Sequence, residues 1–257
     1  MPAIAVIHRT FAVLEAVAAS ESATAKEVAQ RLEIPLPSVY RLLSELVATQ
    51  YLVHLKEDGR FELGPKCFDL GLSFRQRLVA PSPIRQATDE LHRTMETAAY
   101  FAVYRGSDIV LTHLSDCEKH PRLRPLRFGF HEAAHATAFG KILLASMPQE
   151  ERRSYLDARG MPILTPHTIA RPDLLDEHLD TVSIRGIAWE HEEFLPRTTC
   201  AAVPVRGASG VNVGAIAVSM SARRAAGLEP QIEAALREYA GRCSRYMRAG
   251  SKTVLTG

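Results

Sequence analysis

The stretch "GFHEAAHATAFGK" (129–141) contains His131-Glu132-Ala133-Ala134-His135, the spacing H-E-x-x-H. On an α-helix that spacing puts two imidazoles on one face, where they can hold zinc while the glutamate serves as general base. A working site also needs a third protein ligand and an open coordination position. One extension of the motif wants Gly at 138 and His at 141, where Ala138 and Lys141 stand. Another wants an acid on a later helix, and Glu150 and Glu151 follow Pro148 too closely for it. "RFGFHE" reads as a strand entering a turn, with a helix starting near Ala136 or Thr137. His131 then belongs to the strand side and His135 to the helix entry, off any common face. The expectation is no catalytic residue, no metal and no cofactor, with His135 packed at a helix start. A metal-dependent hydrolase using "HEAAH" is the competing reading. Cys200 is the other reactive side chain in a telling place, at a strand start between "TT" and "AAVPV". No histidine is fixed near it by spacing, so it reads as a small, half-buried core residue.

The elements around these residues set the frame. The 257 residues suffice for one large domain or two modest ones. No apolar run of about eighteen residues exists, so nothing is expected to span a membrane. "MPAIAVIHRTFAVLEAVAAS" has helical spacing and no charged leading region, and reads as a core helix rather than a signal peptide. Cys67, Cys117, Cys200 and Cys243 form no C-x-x-C pair, which fits a reduced, cytoplasmic compartment. Net charge is +2, and residues 1–66 carry seven bases against eight acids. Bulk charge therefore does not name a nucleic acid partner; that case must rest on geometry.

Geometry supplies it. Ile7, Phe11, Leu14 and Val17 or Ala18 share one face of a first helix. Thr24 followed by Glu27 is a capping-box pattern for a second, with Val28, Ala29 and Leu32 inward. "IPLPS" breaks the chain before a third helix that turns Val39, Leu42, Leu43 and Leu46 inward. "YLVHL" and "RFELG", joined by "KEDG", close a hairpin. This is the plan of a winged helix-turn-helix. The outward face of the third helix offers Ser38, Tyr40, Arg41 and Ser44 to a major groove, with Lys56 and Arg60 beside the hairpin tip for phosphates. A plain protein-interaction module is the alternative for that polar face.

Pro65 opens a further helix carrying Cys67, Leu70, Phe74 and Leu78, a candidate dimer stripe, stopped by "APSP". Beyond it, hairpins and strands alternate with amphipathic helices without a βαβ rhythm, which favours an α+β fold with an antiparallel sheet. The expected organisation is a DNA-binding domain over 1–64, a linker helix over 65–80 and a second domain over 81–250.

"TAKEVAQRLEIPLPSVYRLLSELVATQYLVHLKEDGRFELG" resembles the N-terminal domain of the isocitrate lyase regulator (IclR) family of bacterial transcription factors. "HATAFGKILLA" and "RGIAWEHEEFLPRTTCAAVPV" with the following "GAIAVS" resemble its second domain, so the resemblance covers roughly residues 6–246. It implies a winged helix, a linker helix and a GAF-like effector-binding domain, assembled as a homodimer or homotetramer. It further implies a ligand-responsive regulator, more often a repressor, bound to an inverted repeat in double-stranded operator DNA. By the same resemblance the effector cavity is lined by Ala138, Phe139, Glu190, Cys200, Ala217 and Ser219. Glu190 stands where the family often has Asp, and Arg197 replaces its usual Gly after Pro196. The helix starting at Thr137 would suit an anion at its N-terminus, and the expected effector is a small organic acid or an aromatic metabolite.

Overall fold

The computed structural model describes residues 2–106, 108–124, 126, 129–130 and 133–249. The chain divides into two compact units, residues 1–77 and 78–257.

The first unit contains α1 (Pro2–Ala18), β1 (Ala23–Thr24), α2 (Ala25–Leu32), α3 (Leu36–Ala48), β2 (Leu52–Leu55), β3 (Arg60–Leu63) and α4 (Pro65–Leu78). Thr24 caps α2, and the reciprocal bonds with Glu27 complete the capping box. Glu33 ends α2 in the left-handed region, and Pro35 sets the start of α3. Val39, Leu43 and Leu46 are buried and Leu42 is half-buried, as the spacing predicts. β1, β3 and β2 pair antiparallel in that order, so the wing is anchored to the turn before α2.

Two apolar faces differ from expectation. On α1 the buried residues are Val13, Ala16 and Val17, whereas Ile7 is 55% and Phe11 58% exposed. Apolar residues lie on more than one side of α1, so spacing alone does not say which side packs. On α4, Leu70 and Phe74 are exposed, but Leu78 is buried in the second unit's core with Ala80 and Ile84. Leu78 is thus not available to the proposed dimer stripe.

The second unit continues with α5 (Ser82–Met95), β4 (Ala98–Arg105), β5 (Asp108–Ser115), β6 (Gly129–Phe130), α6 (Ala138–Ala145), α7 (Gln149–Arg159), α8 (Pro172–Arg185), β7 (Ala188–His191), β8 (Thr198–Arg206), β9 (Asn212–Ser221), α9 (Ala222–Ala225) and α10 (Glu229–Ala249). The strands form one antiparallel sheet in the order β6-β5-β4-β9-β8-β7. Helices cover both faces. Ala98, Tyr100, Ala102, Cys200, Ala202 and Ala217 join the cluster with α6, α7 and α8, while the intervening Ala99, Phe101, Val103, Ala201 and Val203 pack with α5 and α10. Burial on both faces explains why β4, β8 and β9 read as continuous apolar runs. The first of these faces carries mostly alanine, which leaves room close to the sheet for α6 and for polar side chains.

α6 is entered through a 3-10 turn, Ala134–Ala136. That turn lies so close to the helix that a Cβ on Gly140 would overlap the backbone of Ala134. Only glycine fits there.

Candidate effector site and DNA-reading face

Strand register brings three of the expected effector residues into one row. Glu190 on β7 pairs with Cys200 on β8, which pairs with Ser219 on β9, which pairs with Ala98 on β4. The adjacent row runs Ala188, Ala202, Ala217, Tyr100. Residues two apart on a strand share a face, so both rows look toward α6. Ala138, Phe139, Glu190, Cys200, Ala217 and Ser219 are all buried. Tyr100 and Phe139 approach with ring centroids 6.4 Å apart. The Tyr100 hydroxyl lies 2.8 Å from Ser219 Oγ and accepts the Leu123 amide at 3.0 Å.

Glu190 is completely buried. Its Oε1 accepts the backbone amides of Glu193 and Phe194, because Glu192 turns the chain in the left-handed region just after β7. Burial pushes the Glu190 carboxyl above its usual range, against the amide bonds and the Cys200 thiol that favour the charged form. The thiol lies near enough to act electrostatically, yet Oε2 keeps no well-formed hydrogen bond among the described residues. Burial likewise raises the Cys200 thiol far above its ordinary value, with Glu190 adding to the shift. Cys200 is thus a neutral, small side chain and not an activated nucleophile.

One ion pair here was not singled out from the sequence. Lys141 on α6 is fully buried and donates to Glu193 Oε1. Desolvation lowers the Lys141 pKa, while Glu193 and then Glu190 hold the charge in place. Desolvation of the half-buried His178, with Lys141 and His191 nearby, pushes its pKa down to about 4, so it stays neutral at physiological pH. Glu193 Oε2, His178 Nε2 and His135 Nδ1 also have no hydrogen-bond partner among the described residues. A lysine in an otherwise apolar helix, "AFGKILLA", was the available signal, since a buried charge demands a partner.

The H-E-x-x-H pattern does not form the helix that zinc chemistry would need. His131 and Glu132 lie outside the described residues. Ala133, however, has φ −117° and ψ 52°, which breaks any α-helix running from 131 to 135. His135 sits in the 3-10 turn, buried, with Nε2 donating to the Pro162 carbonyl at 3.1 Å. Burial lowers its pKa.

Where β4 starts and β9 ends, Ser219 also lines an open cavity of about 580 Å³. Arg197, Arg224 and the loop residues Lys119 to Arg124 form much of its wall.

In the first unit, Tyr40, Arg41 and Ser44 are exposed on α3 and Ser38 is half-buried at its start. Lys56 is exposed in the four-residue turn between Leu55 and Arg60. Arg60 is placed differently from the other five. Its guanidinium donates to Ser22 Oγ and the Ser22 carbonyl, each at 2.9 Å, and pairs with Glu27 at 3.1 Å. It ties β3 to the start of α2.

Residues 6–55 match the IclR helix-turn-helix domain, and residues 81–245 match the C-terminal domain of bacterial transcriptional regulators of the IclR type. The chain belongs to the IclR family. Among relatives, it is 28% identical over 244 residues to the HTH-type transcriptional regulator BhcR of Paracoccus denitrificans, covering 91% of this chain and 86% of that one. It is 27% identical over 207 residues to the HTH-type transcriptional repressor AllR of Klebsiella pneumoniae, covering 79% and 74%. The fold matches the crystal structure of an IclR homologue from Microbacterium hydrocarbonoxydans, solved with 4-hydroxybenzoate, at a TM-score of 0.74 and 23% identity, over 95% of this chain and 100% of that one. The protein is therefore a transcription regulator with a DNA-binding helix-turn-helix and an effector-binding second domain, and not an enzyme. No helix among the described residues is long and apolar enough to cross a membrane.

Proposed function

We propose that this IclR regulator is a cytoplasmic repressor whose operator contact is made by Ser38, Tyr40, Arg41 and Ser44 on α3, with Lys56 on the wing. In this reading residues 1–64 bind DNA, 65–80 link, and 81–250 hold the effector against Ala138, Phe139, Glu190, Cys200, Ala217 and Ser219. The observation that carries it is the buried Glu190–Cys200–Ser219 row. A carboxyl with an unpartnered oxygen, a thiol and a hydroxyl lie side by side in an otherwise apolar cluster, the mix of apolar surroundings and few placed polar groups that small-molecule sites use. Burial biases the Glu190 carboxyl toward its protonated form, which can donate to a ligand carboxylate instead of repelling it, so an organic acid or an aromatic acid is the effector class. 4-Hydroxybenzoate, the ligand of the Microbacterium homologue, is an acid of that kind.

One winged helix covers a half-site, so an inverted-repeat operator calls for a two-fold dimer. Leu70 and Phe74, exposed on α4 with Phe68, supply the apolar contact. Regulation follows from linkage: an effector that prefers one dimer geometry changes DNA affinity by its differential binding, and about 2 kcal/mol of coupling is roughly thirtyfold.

The test is selection of binding sites from random DNA, followed by affinity measurements with Arg41→Ala. An inverted repeat bound by a dimer, with Arg41→Ala losing ~1–3 kcal/mol of specific binding, is expected. Unchanged affinity in that variant, or binding as a monomer, contradicts the reading.

A further inference from the structure

The cavity beside Ser219 is strongly one-sided in charge. Lys119, Arg122, Arg124, Arg197 and Arg224 line it, against Glu96 as the one acid among the described lining residues. Glu96 already faces Arg224 at 3.8 Å, and Arg224 also donates to the Met95 and Glu96 carbonyls. Arg122 has only a long contact of 3.9 Å to Asp116. Among the described residues the side chains of Lys119, Arg124 and Arg197 form no ion pair with an acid. Three positive charges of this wall therefore lack a side-chain counter-charge among the described residues.

Arg197 stands out for its backbone. Its φ is 61°, in the left-handed region where a Cβ is penalised and glycine is at ease. The conformation is imposed from both sides: its N–H donates to Glu192 Oε2 at 2.7 Å, and its carbonyl accepts the Ala222 amide at 2.9 Å. The turn would form more readily with glycine. The arginine there instead lines the cavity wall at a conformational cost.

We infer that this cavity reads the charge of the effector, and that Arg197 selects a dianion with two carboxylates over the monoacid of the same size. The inference rests on the effector reading of the Glu190–Cys200–Ser219 row and names the ligand class that row takes. One carboxylate would leave most of the wall uncompensated. Two satisfy a pair of cations, with guanidinium geometry suited to bidentate carboxylate contacts. Ser219 Oγ and the Tyr100 hydroxyl beneath supply neutral hydrogen bonds where the cavity meets the buried row.

The experiment is calorimetric titration of the full chain with matched pairs: succinate and butyrate, glutarate and pentanoate, adipate and hexanoate, terephthalate and benzoate. At least one diacid should bind tenfold or more tightly than its monoacid partner. Arg197→Gly should weaken that diacid at least tenfold and leave the monoacid within twofold, without lowering the melting temperature, since glycine relaxes the turn. Equal binding within every pair, no diacid binding up to 10 mM, or an Arg197→Gly protein that binds like the parent would each overturn the inference. Cys200→Leu separates this from the underlying reading. If Arg197→Gly weakens the diacid while Cys200→Leu does not, and the diacid leaves operator affinity unchanged, dianion selection stands and the effector assignment of the row falls.

Discussion

The two units place polar side chains in opposite environments. On α3 the residues proposed to read DNA project from a helix whose other side is core, with Tyr40, Arg41 and Ser44 exposed to solvent. In the second unit the polar groups lie inside, where each must find a partner or remain an energetic liability. A surface site is therefore specified by periodicity, one residue at a time. An interior site is specified by mutual satisfaction among strands far apart in the chain. Changes at the first should alter binding and spare stability, whereas changes at the second should disturb both.

The sharpest break in that contrast is expected at the buried ion pair. Lys141→Met leaves Glu193 charged, buried and unpaired, and should destabilise the second unit by ~3–5 kcal/mol in denaturant unfolding. Lys141→Met with Glu193→Leu should recover most of that loss. A single variant as stable as the parent would mean that the pair is not closed in solution.

Glu190 gives the contrast a pH dependence. Its folded pKa is raised, so its contribution to stability is full below the unfolded value of 4.5 and is lost as pH rises through the folded value. Glu190→Gln keeps a carbonyl for the Glu193 and Phe194 amides but does not titrate. The parent should therefore lose stability relative to Glu190→Gln between pH 4.5 and 7.5, read from urea midpoints at both. A difference that does not change with pH would contradict the burial argument.

A smaller effect separates two bases near the wing. Arg60→Ala removes three contacts that hold β3 to the start of α2, and should cost about 1 kcal/mol of stability. Lys56→Ala should leave unfolding unchanged and lower the salt slope of DNA binding by about one unit, if Lys56 meets a phosphate. The reverse outcome would exchange their roles.

Much of the first unit was legible because local signals decide it: the capping box at Thr24, Pro35 before α3 and Gly59 at the end of the wing turn. The failures there also have a cause. α1 is apolar on more than one side, so Ile7 and Phe11 could be assigned inward although they are exposed. In the second unit the helix stop at Gly186 and the antiparallel class of the sheet could be read, but the row could not. Glu190, Cys200 and Ser219 meet through strand register, and their sequence separations carry no periodicity. They were named through family resemblance, and the pairing of Lys141 with Glu193, 52 positions apart, had no signal beyond a charge in an apolar helix. "HEAAH" is the converse case, a readable pattern on a backbone that does not form the required helix.

The most direct test of the account asks whether the interior site controls the surface one. Operator affinity is measured by fluorescence anisotropy for the parent, Cys200→Leu and Glu190→Ala, each across a titration of the tightest-binding acid from the matched pairs. Cys200→Leu fills space beside the row, and Glu190→Ala removes its carboxyl. The account predicts that all three bind the operator within about threefold of one another without ligand, because the residues belong to separate units. It predicts that only the parent changes affinity strongly as the acid is added. Variants that respond to the acid like the parent would contradict it, and would place the effector away from Glu190, Cys200 and Ser219.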